Sequence, residues 1–290
     1  MDKIAVIGLV GKTIFMEVPR FHEGGETIVA KGIHEEWGGK GFNQAIAAAR
    51  QDAAVSFLGA ASAADAKAIA DFCRAEGVTA KVCVKRQATA CAAILTDGTG
   101  ETRVTVYPGA QLSAKDVDGF AGSIAMADIL LLNNEVPEEV NLAAVEIAKH
   151  YGVKIIFNPA PARRLPKAIV EAVSIFTPNE FEEESLKCGV RSAECGAEMI
   201  TTLGAKGCRI RSTGEVIPAP AVKAVDSTGA GDTFNAVLAT RLSEGESLRD
   251  ACVAANAAAA QSVTVRYVLP SLPRPAGHTG CVGRVKQMVK

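Results

Sequence analysis

The stretch Asp226-Ser227-Thr228-Gly229-Ala230-Gly231-Asp232-Thr233-Phe234-Asn235 sets a glycine turn and a carboxylate at the start of a helical pattern. Phe234, Val237, Leu238 and Leu242 mark one face of that helix, and the apolar run at 221–225 predicts a strand leading into it. Free backbone N–H groups at a helix start, together with the positive end of its dipole, attract an anion. Asp232 would repel a resident phosphate. It suits a phosphoryl group in transit, because a carboxylate there can take the proton of the attacking hydroxyl. The plain alternative is an ordinary strand-to-helix turn with an Asp cap. A dinucleotide fingerprint is disfavoured, since Phe234 stands where its third glycine belongs.

A second cluster, Trp37-Gly38-Gly39-Lys40-Gly41-Phe42-Asn43-Gln44-Ala45, combines close backbone approach with donors for hydroxyls or phosphate. Gly11-Lys12-Thr13 mimics the end of a P-loop, but the required upstream glycine is Val6. The run at 129–132 leads into Asn133-Asn134-Glu135 with no Walker-B aspartate.

The elements that must position these residues alternate. Strand-length apolar runs at 4–10, 55–58, 129–132, 154–157, 175–177 and 199–203 interleave with helical patterns at 41–51, 63–76, 137–151, 164–172, 233–243 and 247–263. That order predicts an α/β fold, a mostly parallel central sheet with helices on both faces. Ser247 with Asp250 resembles a capping box with Asp in place of Glu. Between the first strand and Gly38, and again at 91–106, the pattern turns to short alternating β segments, with Asp97-Gly98-Thr99-Gly100 as a hairpin turn. These pieces predict a small separate sheet at one edge.

Composition narrows the classes. The chain has 290 residues, 48% of them hydrophobic, which supports a large core. Its 31 Lys and Arg against 32 Asp and Glu give a net charge of -1, so no basic field invites nucleic acid or an anionic membrane. No run reaches membrane-spanning length, and the N-terminus lacks a signal-peptide pattern. The eight cysteines form no C-x-x-C pair and predict reduced thiols in a cytoplasmic protein rather than a zinc site.

Taken together the motifs resemble the ribokinase (PfkB-type) family of sugar and nucleoside kinases over nearly the whole chain. Gly38-Gly39-Lys40-Gly41-x-Asn43-Gln44-Ala45 resembles its sugar-binding loop, and Asp226 to Asn235 its C-terminal signature. Asn158-Pro159-Ala160-Pro161-Ala162-Arg163 and Thr177-Pro178-Asn179-Glu180-x-Glu182 resemble two segments of ribokinases, and Thr202-Leu203-Gly204-Ala205-Lys206-Gly207 the nucleotide-binding turn. The resemblance implies a single kinase domain over 1–290 with a lid from about 12–37 and 90–107, which pairs with a second copy in a homodimer. It implies Asp232 as catalytic base and Gly229, Ala230 and Gly231 as an anion hole. Gly11, Thr13, Gly39, Lys40, Asn43 and Glu135 would hold the sugar. Thr202, Gly204, Gly207 and Asn256 would line ATP, while Asn179 and Glu182 organise Mg²⁺ through water. Asp226, Thr228, Ser262, Val265, Tyr267 and Ser271 fall at positions that hold K⁺. The implied activity is ATP-dependent phosphorylation of a sugar hydroxyl. A nucleoside kinase and a sugar-sensing protein without turnover are the alternatives.

Four features depart from the family pattern. Gly11 and Thr13 stand where ribokinases carry an Asn and an Asp that grip sugar hydroxyls. Losing that carboxylate removes charge-assisted bonds of roughly 1.5–3 kcal/mol each, and with more room there a deoxy- or base-bearing sugar is expected over ribose. Ala60-Ala61 replaces a Gly-Asp pair, the segment 184–200 is short, and Tyr267 replaces a common glycine. A backbone needing φ > 0 is not expected to accept that tyrosine.

Overall fold

The computed structural model describes residues 4–187 and 196–274. Its elements run β1 (Ile4–Ile7), β2 (Gly11–Glu17), β3 (Gly32–Gly38), α1 (Lys40–Arg50), β4 (Val55–Ser62), α2 (Ala66–Ala75), β5 (Val78–Lys85), β6 (Ala90–Thr96) and β7 (Thr102–Tyr107). There follow α3 (Ala114–Asp118), α4 (Ala121–Met126), β8 (Ile129–Asn133), α5 (Glu138–Tyr151), β9 (Lys154–Asn158), α6 (Lys167–Ala172), β10 (Ile175–Phe176) and α7 (Glu180–Lys187). The chain closes with β11 (Glu198–Thr202), β12 (Cys208–Ile210), β13 (Val216–Ile217), α8 (Ala230–Ser243), α9 (Leu248–Ser262) and α10 (Val268–Ser271).

Nine strands form one sheet in the order β13-β12-β11-β10-β9-β8-β1-β4-β5. It is parallel from β11 to β5, and at one edge β12 runs reversed, pairing antiparallel with both β11 and β13. The central strands are apolar at nearly every position because both faces are covered. Alternate residues divide between the faces. Ala5, Ile7, Leu130, Leu132, Ile155 and Phe157 pack with Val140, Ala144 and Val145 of α5. Ile4, Val6, Ile129, Leu131 and Ile156 pack with Phe42 and Ile46 of α1, Ile69 of α2 and Ala236 and Ala239 of α8. At the antiparallel edge Ile200, Ile210 and Ile217 lie under Phe234, Val237 and Leu238 of α8 and Ala251, Cys252 and Ala255 of α9.

The alternating segments form a separate four-stranded sheet, β3-β2-β6-β7. β2 pairs antiparallel with β3 and parallel with β6, and Asp97 Oδ1 closes the β6–β7 turn on the N–H groups of Thr99 and Glu101. Gly11-Lys12-Thr13 belongs to β2, so the P-loop mimic is a strand.

Several expectations are corrected. Residues 221–225 form no strand; Val222 and Val225 are exposed, and the glycine turn is entered from a loop. The edge strands β5 and β13, the short strand β12 beside β13 and the short helices α3 and α4 carry too weak a periodicity to stand out. The reciprocal capping box is at Ser113 and Asp116. At Ser247 only half of one forms, with its side chain accepting from the Asp250 N–H. Part of the segment 184–200, with Cys188 and Cys195, and also Cys281, lies outside the described residues; Cys73, Cys83, Cys91, Cys208 and Cys252 are free thiols. Among the described residues there is no His, Cys, Asp and Glu cluster suited to a metal, and no helix is long and apolar enough to cross a membrane.

Candidate active site

A cavity of about 260 Å³ opens beyond the carboxyl ends of β1 and β8. The chain leaves β1 toward β4 on one side and returns to β8 on the other, so these strands flank the switch point where open parallel sheets bind ligands. Leu9, Gly39, Lys40, Asn43, Glu135, Thr228, Gly229, Asp232 and Val268 form one wall; Gly11, Lys12, Thr13, Gly38, Ala90, Cys91, Ala92, Ile94, Val104 and Val106 form the other.

Asp232 lies in the first turn of α8 and is 6% exposed. One carboxylate oxygen accepts from Asn43 Nδ2 at 2.9 Å, the other from Gln44 Nε2 at 3.2 Å. Burial raises its pKa, while the Lys40 charge and these two amides act in the opposite direction. The result is a basic carboxylate that the neighbouring cation still favours ionised. Lys40 has a raised pKa: burial opposes its charge, but Asp232, Glu135 and Glu182 together outweigh that. Glu135 accepts from the Lys40 backbone N–H at 2.6 Å, and burial pushes its pKa up to about 7.

Gly229, the residue before α8, has φ 81°, a conformation that favours glycine. It turns the chain into α8, and Thr228, Gly229 and Asp232 on either side of the turn line the cavity, while Ala230 and Gly231 lie between Gly229 and Asp232 in sequence. The Ala230 N–H reaches back to the Ser227 carbonyl at 3.3 Å, while those of Gly229 and Gly231 have no partner among the described residues. Asn235 Nδ2 holds the Gly231 carbonyl at 2.8 Å and is itself bonded through its Oδ1 to Thr177.

The expected residues fall into three groups. Gly11, Thr13, Gly39, Lys40, Asn43, Glu135, Gly229 and Asp232 meet at the cavity. Asn179, Glu182, Thr202, Gly204, Gly207 and Asn256 lie along the sheet end beyond it. Asn179 bridges to Thr202, and Asn179 and Glu182 cap the start of α7 by bonding each other's backbone N–H groups at 2.8 and 2.9 Å. Asn256 is buried and donates to the Ile217 carbonyl at 2.9 Å. In the third cluster Asp226 accepts from the Thr228 N–H and the Tyr267 N–H, both at 2.9 Å. Two expectations change. Tyr267 does take a positive φ, 66°, its ring stacked on His34 with centroids 3.8 Å apart. Gly11 gives no extra room, because a Cβ there would lie 2.5 Å from the Ala90 carbonyl oxygen.

Sequence reasoning missed Gln44, which bonds Asp232, although it follows Asn43 in the quoted motif. It also missed Arg163, which donates to Asn134 Oδ1 and the Val136 carbonyl on either side of Glu135. Its signal was the arginine ending the Asn158–Arg163 segment.

Residues 1–275 match the model of the pfkB family carbohydrate kinases. The ribokinase of Haemophilus influenzae is 35% identical over 290 residues, covering 93% of this chain and 95% of that protein. The crystal structure of Thermotoga maritima ribokinase superposes with a TM-score of 0.85 at 32% identity, over 94% of this chain and 97% of that one. Arabidopsis thaliana ribokinase, solved with ribose and ATP, gives a TM-score of 0.82 at 28% identity, over 94% of this chain and 96% of that one.

Proposed function

The chain belongs to the pfkB family of carbohydrate kinases and is an ATP-dependent kinase of a sugar hydroxyl; from that premise we propose how its residues divide the work. The observation that carries the reading is buried Asp232, held by two amides beside Lys40 in the first turn of a helix where the N–H groups of Gly229 and Gly231 are without a partner among the described residues. Asp232 takes the proton of the attacking hydroxyl as its oxygen bonds the γ-phosphorus. The bond to the bridging β–γ oxygen breaks, and ADP leaves. The N–H groups of Gly229 and Gly231 stabilise the charge on the transferring group, with Ala230 joining if its amide leaves Ser227. Lys40, Asn43 and Glu135 orient the sugar.

ATP lies along Thr202, Gly204 and Gly207 toward Asn256. Mg²⁺ neutralises phosphate charge when bound. Glu182 fits an outer contact to it, being a nearly buried carboxylate that spends one oxygen on its helix cap while its charge reaches Lys40. Asp226 with main-chain oxygens of Thr228, Ser262, Val265 and Tyr267, and Ser271 beside them, suits a large monovalent ion. The Thr228 and Val265 carbonyls accept no hydrogen bond among the described residues. K⁺ should raise turnover by ordering this loop; equal rates in K⁺ and tetramethylammonium would remove it from the scheme.

The small sheet serves as a lid that keeps water from the γ-phosphate. Val104 and Val106 line the cavity and are each 56% exposed, which supports a second copy covering them in a dimer, to be checked by light scattering. The free thiols suit the cytoplasm. With one hydroxyl at Thr13, Lys12 tied to Asp65 and the other neighbours apolar, the sugar end favours a substrate with fewer hydroxyls there than ribose. ATP consumption over pentoses, deoxypentoses, hexoses and nucleosides tests this. Turnover of none of them would overturn the activity, and kcat/KM for ribose of about 10⁴ M⁻¹s⁻¹ or better would overturn the substrate preference.

A further inference from the structure

Glu36 lies in β3, in register opposite Thr13 of β2. Its side chain is only 5% exposed. The carboxylate accepts from the backbone N–H of Val268 at 2.9 Å and of Leu269 at 3.2 Å, and His34 Nε2 lies 3.1 Å from it. A buried carboxylate is costly unless its oxygens are bonded, and here the partners come from 232 and 233 residues away in the chain.

The segment that Glu36 grips stands behind the glycine turn. A Cβ on Gly229 would lie 2.7 Å from Val268 Cγ1, so the valine side chain is packed directly against the residue that opens α8. Neighbouring contacts from the small sheet converge on the same segment. The Tyr267 ring stacks on His34 and meets the Phe15 ring edge-on at 5.2 Å, and Arg266 pairs with Glu17. Thr13 and Val268 both line the cavity, so Glu36 joins its two walls.

We propose that Glu36 is a positioning residue for phosphoryl transfer: by holding the amides of Val268 and Leu269 it fixes Val268 behind Gly229 and sets the small sheet in register with the turn that presents Asp232. It touches no substrate. A displacement of about 1 Å at a reacting group lowers rates by up to about 10²-fold, which sets the scale of its effect. This goes beyond the roles assigned above and needs only that Asp232 act at this turn.

The test is steady-state kinetics on purified variants with folded fraction and melting temperature measured alongside. Glu36→Ala should lower kcat about 10- to 100-fold while KM for ATP stays within about threefold. Glu36→Gln keeps one acceptor oxygen in nearly the same shape and should recover a substantial part of kcat. Val268→Ala should lower kcat likewise, and the double variant should lose much less than the product of the two single losses, because both act through one contact. A kcat within twofold of wild type in folded Glu36→Ala would overturn the proposal. So would multiplicative losses in the double variant, or no recovery in a folded Glu36→Gln. Should Glu36→Ala fail to fold, the Gln and Val268 variants decide by the same criteria.

Discussion

The two walls of the cavity differ in kind. The wall built on the large sheet carries Lys40, Asn43, Glu135 and Asp232, each fixed by a partner distant in sequence, such as Asn43 on Asp232 or the Lys40 amide on Glu135. The wall built on the small sheet offers the Thr13 hydroxyl beside Lys12 and among Ala90, Ala92, Ile94, Val104 and Val106, and β7, one of its two outer strands, is exposed throughout. Buried charges need fixed partners, and those come most readily from elements packed on both faces of a sheet. Chemistry therefore belongs to the thick wall, and choice of sugar to the thin one. Glu36 apart, which ties it to the glycine turn, the thin wall can change residue types without disturbing the core that orients Asp232.

The largest expected effect is in the thick wall. Asp232→Asn should lower kcat by about 10²–10⁴ with ATP binding intact by calorimetry; retention of more than a tenth of wild-type turnover would place the base elsewhere. Next comes Glu135. Its pKa of about 7 makes the hydroxyl-accepting form the ionised one, present above that pH. The kcat/KM for the sugar should thus fall as pH drops through 7. Glu135→Gln should flatten this limb and raise the sugar KM about tenfold, the worth of one charge-assisted bond; an unchanged pH profile would break the assignment.

In the thin wall Thr13→Asp should raise kcat/KM for ribose about tenfold relative to the wild-type substrate, limited by the cost of burying a new carboxylate. If that variant altered kcat with every sugar alike, the two walls would not be separable. The smallest effect is on stability. A non-glycine residue at positive φ with extended ψ is strained by about 1–3 kcal/mol. Tyr267→Gly releases that strain as it loses the ring contacts, whereas Tyr267→Ala loses the ring and keeps the strain. The Ala variant should therefore melt several degrees below the Gly variant, and equal melting temperatures would show that the backbone there is relaxed.

Much of this was legible in the sequence. The strands β1, β4, β8 and β9 are apolar at nearly every position, and long helices separate them, so the parallel sheet followed from periodicity. Asp232, Lys40 and Asn43 sat inside glycine-marked motifs. What stayed hidden depends on pairs far apart in the chain. Glu36 is one of two adjacent glutamates in a polar strand, and its burial comes from amides 232 residues on. The positive φ at Tyr267 could not be foreseen, because it rests on rings contributed by β2 and β3. The Gly11 side of the pocket looked roomy until β6 was seen to fill it.

The join between β2 and β6 has a consequence for the order of assembly. Each of these strands forms a local hairpin, β2 with β3 and β6 with β7, but they meet each other in parallel, with Gly11 opposite Ala90. Helices α1 and α2 and strands β4 and β5 lie between them in the chain. Long-range parallel pairing is slow, since the chain entropy of closing the intervening segment is lost before the contacts repay it. The β2–β6 ladder should wait for β1, β4 and β5 to associate, and its amides should gain protection last in pulse-labelled hydrogen exchange. A refolding chain would then form its phosphate-handling turn before it can enclose a sugar, and activity would return later than helix content.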